Sequence, residues 1–144
     1  MNWLLFLHII GATIWTGGHL ILAIRYLPQA LKTNDITELQ KFEDKFEKIG
    51  IPALLIQIIT GFWMASNWLP VSDWFSFENS LKRAVFVKIL LLVATALLAV
   101  DARLRIIPKL TPQNLRPLAW HIIPVTIISV IFVLIGVSFR SGGI

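Results

Sequence analysis

Four apolar stretches divide the 144-residue chain, and each is long enough to cross a membrane as a helix. They cover about residues 3–26, 49–69, 84–104 and 118–139. A helix needs about 20 residues to span the roughly 30 Å hydrocarbon core of a bilayer. Hydrophobic residues make up 56% of the chain, which does not suit a soluble domain. The sequence therefore predicts a single all-α integral membrane domain over residues 1–144.

The connections between the stretches are short, which favours an up-down-up-down four-helix bundle. Residues 32–48, between the first two stretches, are rich in charge and carry apolar residues at every third or fourth position. Those apolar residues are Ile36, Leu39, Phe42 and Phe46. Such spacing produces one apolar stripe, so we expect a short amphipathic helix at the membrane surface.

Basic residues are distributed unevenly along the chain, with nine in the first and third connections or at the span ends next to them. Only three lie in the second connection and near the C-terminus. Because basic loops stay in the cytoplasm, we predict that both termini face outward. We expect a multi-pass protein of the bacterial inner membrane, whose net charge of +5 reflects topology and lipid contact rather than nucleic-acid binding.

All three histidines lie inside the apolar stretches, His8 and His19 in the first and His121 in the fourth. An ionisable side chain in hydrocarbon is costly, so each is a candidate functional residue. Imidazole is a common ligand of metals and of haem iron. The chain has no Cys, which excludes disulfides, iron–sulfur clusters and thiolate metal sites.

Helix geometry separates the histidines into two levels. His8 and His19 are eleven residues apart, which places them on one face about 16 Å apart along the axis. In the predicted topology His121 lies at the level of His19, and the first and fourth helices are expected neighbours. We therefore predict that His19 and His121 face each other, as a clamp on a haem iron or as two ligands of copper.

Several residues near His19 suit a planar cofactor. Gly17 and Gly18 leave space beside the helix, and Trp15 provides an aromatic wall. Arg25 is a candidate partner of a haem propionate, although lipid phosphate is the simpler partner. Close helix packing is the alternative explanation of the glycine pair, because small residues often serve that purpose in membranes.

A second set of polar residues is expected at the outer level. Lys88 and Met64 are predicted at about the depth of His8, where the three form a second ligand or proton-transfer set. The alternatives are that Lys88 extends its ammonium to the membrane interface and that Met64 packs in the core.

Several segments resemble the copper-resistance D (CopD) family. They are HIIGATIWTGGH, FEDKFEKIGIPALLIQIITG, FVKILLLVATALLAVDARLRIIPKL and GVSFRSGG. The spacing of His8 and Trp15 and the membrane lysine also resemble the related HemJ family, a haem-binding group linked to protoporphyrinogen oxidation. That resemblance matches His8 and Lys88 to the His and Lys of that family, whereas the segment after Trp15 departs from its pattern.

Three functional hypotheses follow. The first is a small cytochrome b, a membrane oxidoreductase that holds one or two b-type haems and passes electrons between a quinol and an acceptor. The second is copper binding or transport, as the CopD resemblance implies, although soft Cu(I) prefers Met and Cys ligands that are scarce here. The third is a structural membrane subunit whose histidines only form hydrogen bonds. A homo-oligomer is compatible with each of the three.

Overall fold

The structure is a computed structural model that describes residues 2–139. Its α-helices are α1 (Trp3–Ile21), α2 (Leu27–Thr33), α3 (Thr37–Trp68), α4 (Ser80–Asp101) and α5 (Leu115–Ser138). Turns of π-helix extend α1 at Leu22–Tyr26 and α4 at Ala102–Ile106, and 3-10 turns occur at Val71–Asp73 and Ile107–Lys109. Four continuous helical segments, Trp3–Thr33, Thr37–Trp68, Ser80–Lys109 and Leu115–Ser138, are long and apolar enough to cross a membrane. The predicted all-α fold with four spans is confirmed.

Asparagine side chains define several helix ends. Asn2 accepts a hydrogen bond from the backbone N–H of Leu5 at 3.2 Å, and Asn79 accepts one from Lys82 at 2.9 Å. Both bonds satisfy amides that a helix N-terminus leaves without intrahelical partners. Asn34 follows α2 with φ 54°, the left-handed conformation that commonly ends a helix.

The segment expected to form an amphipathic helix is interrupted at residues 34–36, and from Thr37 onward it is helical and continuous with the second span. Its apolar stripe packs against the end of the first span. Leu39 is only 1% exposed, and the ring of Phe42 stacks on Tyr26 with the centroids 4.7 Å apart. The stripe therefore joins the first two spans to each other.

The packing order of the long helices is α3, α1, α5, α4, since α1 lies against both α3 and α5, and α5 lies against α4. Contacts between α1 and α5 pair Thr16 with Ser129 and His19 with Thr126, so residue numbers rise in one helix as they fall in the other. Such pairing describes antiparallel neighbours. The side of the membrane on which each end lies stays a prediction from the charge distribution.

The bundle is apolar outside and partly polar inside. Leu97 and Leu134 are 66% and 63% exposed, whereas Thr95 and Ser129 are each 1% exposed. In water, apolar surface of this extent would be unfavourable. The spanning helices place this surface against the hydrocarbon of the bilayer.

Candidate functional site

His8 lies in the contact between α1 and α3. Its Nδ1 is 2.9 Å from Oγ1 of Thr60, and that hydroxyl donates its own hydrogen to the carbonyl of Ile56 at 2.6 Å. The hydroxyl oxygen therefore accepts from Nδ1–H, and a neutral ring keeps its lone pair on Nε2. The ring also lies beside Gly61, where a Cβ would be 3.2 Å from Cε1 of His8.

His19 has the same arrangement with a different partner. Its Nδ1 donates to the carbonyl of Trp15 at 2.9 Å, which leaves the Nε2 lone pair of the neutral ring available. The ring centroid is 4.3 Å from that of Trp15 and 5.3 Å from that of Phe46. His8 and His19 thus present equivalent nitrogens from one face of α1.

The two glycines beside His19 have different surroundings. A Cβ on Gly18 would overlap the ring of Phe46, whereas a Cβ on Gly17 would have nothing within 4 Å. Gly18 therefore serves close packing, which is the alternative that the sequence left open for the pair. Arg25 lies beyond them in the π-helical turn and is exposed.

His121 uses both ring nitrogens. Nδ1 donates to the carbonyl of Pro117 at 2.6 Å, and Nε2 is 2.8 Å from a carboxylate oxygen of Asp101. Asp101 also pairs with Arg105 at 3.0 Å, so His121 holds α5 against the end of α4.

His19 and His121, which were predicted to face each other, contact different residues in the structure. The ring of His19 contacts Trp15 and Phe46, whereas the ring of His121 contacts Asp101. At this level α1 and α5 are joined instead by the Thr126 hydroxyl, which donates to the His19 carbonyl at 3.2 Å. His121 could serve as a ligand through Nε2 only by giving up Asp101.

Lys88 and Met64 occupy different surroundings near the level of His8. The Nζ of Lys88 is 5.0 Å from the centroid of the Phe139 ring. Met64 is buried and follows Thr60, the partner of His8, by one helical turn. The structure thus places Lys88 against Phe139 and Met64 in the interior.

The pockets that stand out in the described residues do not include the histidines. Two pockets stand out between residues 2 and 139, an apolar groove of about 310 Å³ between α1 and α3 and a pocket of about 100 Å³ beside the α2–α3 turn. No histidine lines either pocket. At His19 the Phe46 ring fills the neighbouring space, so a haem does not fit there in this conformation.

A preformed multidentate metal site is also absent from the described residues. Within 2–139, no three His, Asp or Glu side chains converge to hold a metal ion.

Sequence reasoning missed two contacts that shape this site. One is the bond from His8 to Thr60, residues that are 52 positions apart, and the other is the bond from His121 to Asp101. The amino-acid types gave the only signal, since Thr60 is a polar residue inside an apolar stretch and Asp101 is an acidic residue near the end of another. Asp101 also binds Arg105, whereas Arg103 pairs with Glu47 of α3.

Comparison with known proteins gives one family match. A family model described as copper resistance protein D (CopD) matches residues 40–139, which is well over half of the chain. This range includes Met64, Lys88 and His121 and begins after His8 and His19. No curated protein and no solved structure matches the chain.

Proposed function

The chain belongs to the copper resistance protein D family, and on that basis we propose that it binds copper ions between its spanning helices and conducts them through a bacterial inner membrane. Copper is here the substrate, not a resident cofactor. The observation that carries the proposal is the shared geometry of His8 and His19, in which Nδ1–H is anchored and the Nε2 lone pair is available. Neutral imidazole is a good copper ligand.

The donors are spaced along the membrane normal. His8 and His19 provide nitrogen at two levels about 16 Å apart on one face of α1. Met64 adds a soft thioether sulfur one turn beyond the partner of His8, a ligand type that favours Cu(I). We place Lys88 at about the depth of His8, where its positive charge would shorten the residence of a copper ion.

Haem binding is the second candidate, because an anchored Nδ1–H and an available Nε2 also suit an axial haem ligand. It would require the Phe46 ring to leave its place beside His19, and for that reason it ranks below copper. A purely structural subunit is the remaining alternative.

The test is metal analysis of purified protein after expression with added copper. We expect copper in the wild-type protein and at least about tenfold weaker copper binding in His8→Ala and His19→Ala, which lose a direct ligand. His121→Ala should keep the wild-type affinity, since both nitrogens of His121 are engaged in hydrogen bonds. Uptake of Cu(I) by proteoliposomes should follow the same order.

The same samples separate the alternatives by absorption spectroscopy. If the wild-type protein shows a Soret band and no bound copper, and His8→Ala or His19→Ala loses that band, the ligand of the histidines is haem and not copper. If the protein contains neither copper nor haem after expression with both supplied, the structural role is the remaining hypothesis. Equal loss of copper in all three histidine variants would contradict the assignment of separate tasks to His121 and the other two.

A further inference from the structure

An apolar groove follows the outer side of the contact between α1 and α3. It has a volume of about 310 Å³ and is lined by four residues of α1 and five of α3. Its walls are open to the surroundings of the bundle, since Ile10 is 44% exposed and Ile49 is 58% exposed. In the membrane this opening faces lipid.

Close contact between the two helices produces the concave shape. A Cβ on Gly11 would lie 2.8 Å from the carbonyl oxygen of Ala53 and 3.1 Å from Cγ of Gln57. Small residues allow the two backbones to approach at this point. The larger side chains on either side, such as Ile10 and Ile56, extend past the contact and form walls around a floor of backbone.

One end of the groove is polar and positively charged. Lys48 is the charged residue among the described lining residues, and it is exposed. Pro52, one turn later, also lines the groove and has no N–H to donate to the carbonyl of Lys48. This end therefore offers an ammonium, which donates and is positive, and a carbonyl that lacks its usual helical donor.

We propose that the groove binds an anionic phospholipid. One acyl chain lies in the apolar part and the phosphate rests against the ammonium of Lys48. A hydroxyl-bearing headgroup, as in phosphatidylglycerol, can also donate to the Lys48 carbonyl. Charge complementarity favours this occupant, because its net negative charge matches the ammonium of Lys48. A zwitterionic lipid has no net charge, and a quinone has no charged group.

Acidic and basic side chains alternate on the first turns of α3. Lys41 and Lys45 precede Lys48, and the acidic residues among them are Glu38, Glu43, Asp44 and Glu47. Lys48 is the one of these charged residues that lines the groove. The expected attraction for a lipid phosphate is therefore specific to the groove at Lys48 and is independent of any copper binding.

The experiment measures thermal unfolding of delipidated protein in a neutral detergent with added phosphatidylglycerol or phosphatidylcholine, and native mass spectrometry counts the bound lipid. We expect phosphatidylglycerol to raise the Tm by several degrees more than phosphatidylcholine. Lys48→Gln should remove more than half of this difference. The matched control Lys45→Gln, on the same helix but outside the groove, should retain it.

A second variant tests the chain-binding part. Ile10→Trp places a larger ring into the groove from an exposed position, so it should reduce bound lipid without altering the helical circular dichroism. If Lys48→Gln fails to fold, Lys48→Arg keeps the charge and should keep the preference for phosphatidylglycerol.

Three results would overturn the proposal. The first is equal stabilisation by the two lipids. The second is equal loss in Lys45→Gln and Lys48→Gln, which would mean a diffuse basic surface. The third is stabilisation by a short-chain quinone in phosphatidylcholine that exceeds the effect of phosphatidylglycerol, which would mean a neutral occupant.

Discussion

At the residue scale, Gly17 and Gly18 are adjacent in sequence but differ in what surrounds them. The Phe46 ring occupies the position that a side chain on Gly18 would take, and the same ring packs against His19. Gly17 faces open space. The position of the His19 ring therefore depends on the absence of a side chain at Gly18.

We predict opposite effects of adding a methyl group at these two positions. Gly18→Ala should lower the free energy of unfolding by about 1–3 kcal/mol, because the new Cβ displaces the Phe46 ring. Gly17→Ala should be neutral or stabilising by up to about 1 kcal/mol through its higher helix propensity. Denaturant titration in detergent, followed by circular dichroism, measures both.

A double variant provides the control. Phe46→Leu, with a smaller side chain, should return part of the stability lost in Gly18→Ala. Equal effects of the two glycine substitutions would mean that the Phe46 ring does not pack on Gly18.

Which residues deserved attention could be predicted from the sequence, because histidines in apolar segments are conspicuous. Their hydrogen-bond partners could not. His8 and Thr60 lie on different helices, as do His121 and Asp101, so each pair meets only when the helices pack. Residue spacing within one helix does not predict how that helix packs against another. The sequence therefore predicted His19 and His121 as a facing pair of ligands, whereas the structure gives the two rings different hydrogen-bond partners.

At the scale of the elements, the pair of Asp101 and His121 ties α4 to α5. We predict that Asp101→Asn lowers the free energy of unfolding more than the control variant Glu38→Gln does, since it removes charge-assisted bonds to His121 and Arg105. The matched control Glu38→Gln breaks an exposed pair with Lys41 within α3 and should cost less than about 1 kcal/mol.

Hydrogen exchange locates the effect of this change. Faster exchange in Asp101→Asn should be confined to the end of α4 and the first turns of α5. If the two variants lose the same stability, the pair is not a tether between the helices.

The existence of the four spans was easier to predict than their lengths. Hydropathy marks where a helix meets lipid, so it gave 49–69 for the second span, whereas α3 begins at Thr37. The first turns of α3 stay helical because Leu39 and Phe42 pack against the end of the first span. Such packing is tertiary and leaves no long apolar run in the sequence.

At the scale of the whole molecule, the distribution of basic residues predicts the orientation in the membrane. Nine in or next to the first and third connections, against three in the second connection and near the C-terminus, should place both termini outside. Alkaline phosphatase fused to the C-terminus should therefore be active, and green fluorescent protein fused there should stay dark. The reverse pattern is expected for reporters inserted in the turn after Lys109, and a bright C-terminal fusion would invert the topology.

The π-helical turn at Leu22–Tyr26 has a consequence for how the chain tolerates changes in its length. A π turn holds one residue more than the α-helical turn that it replaces. A one-residue deletion there can be absorbed as a regular α turn, whereas a deletion inside α1 would rotate the preceding residues, His8 among them, by about 100°. Leu22–Tyr26 is thus where the first span can shorten while both histidines keep their alignment with α3.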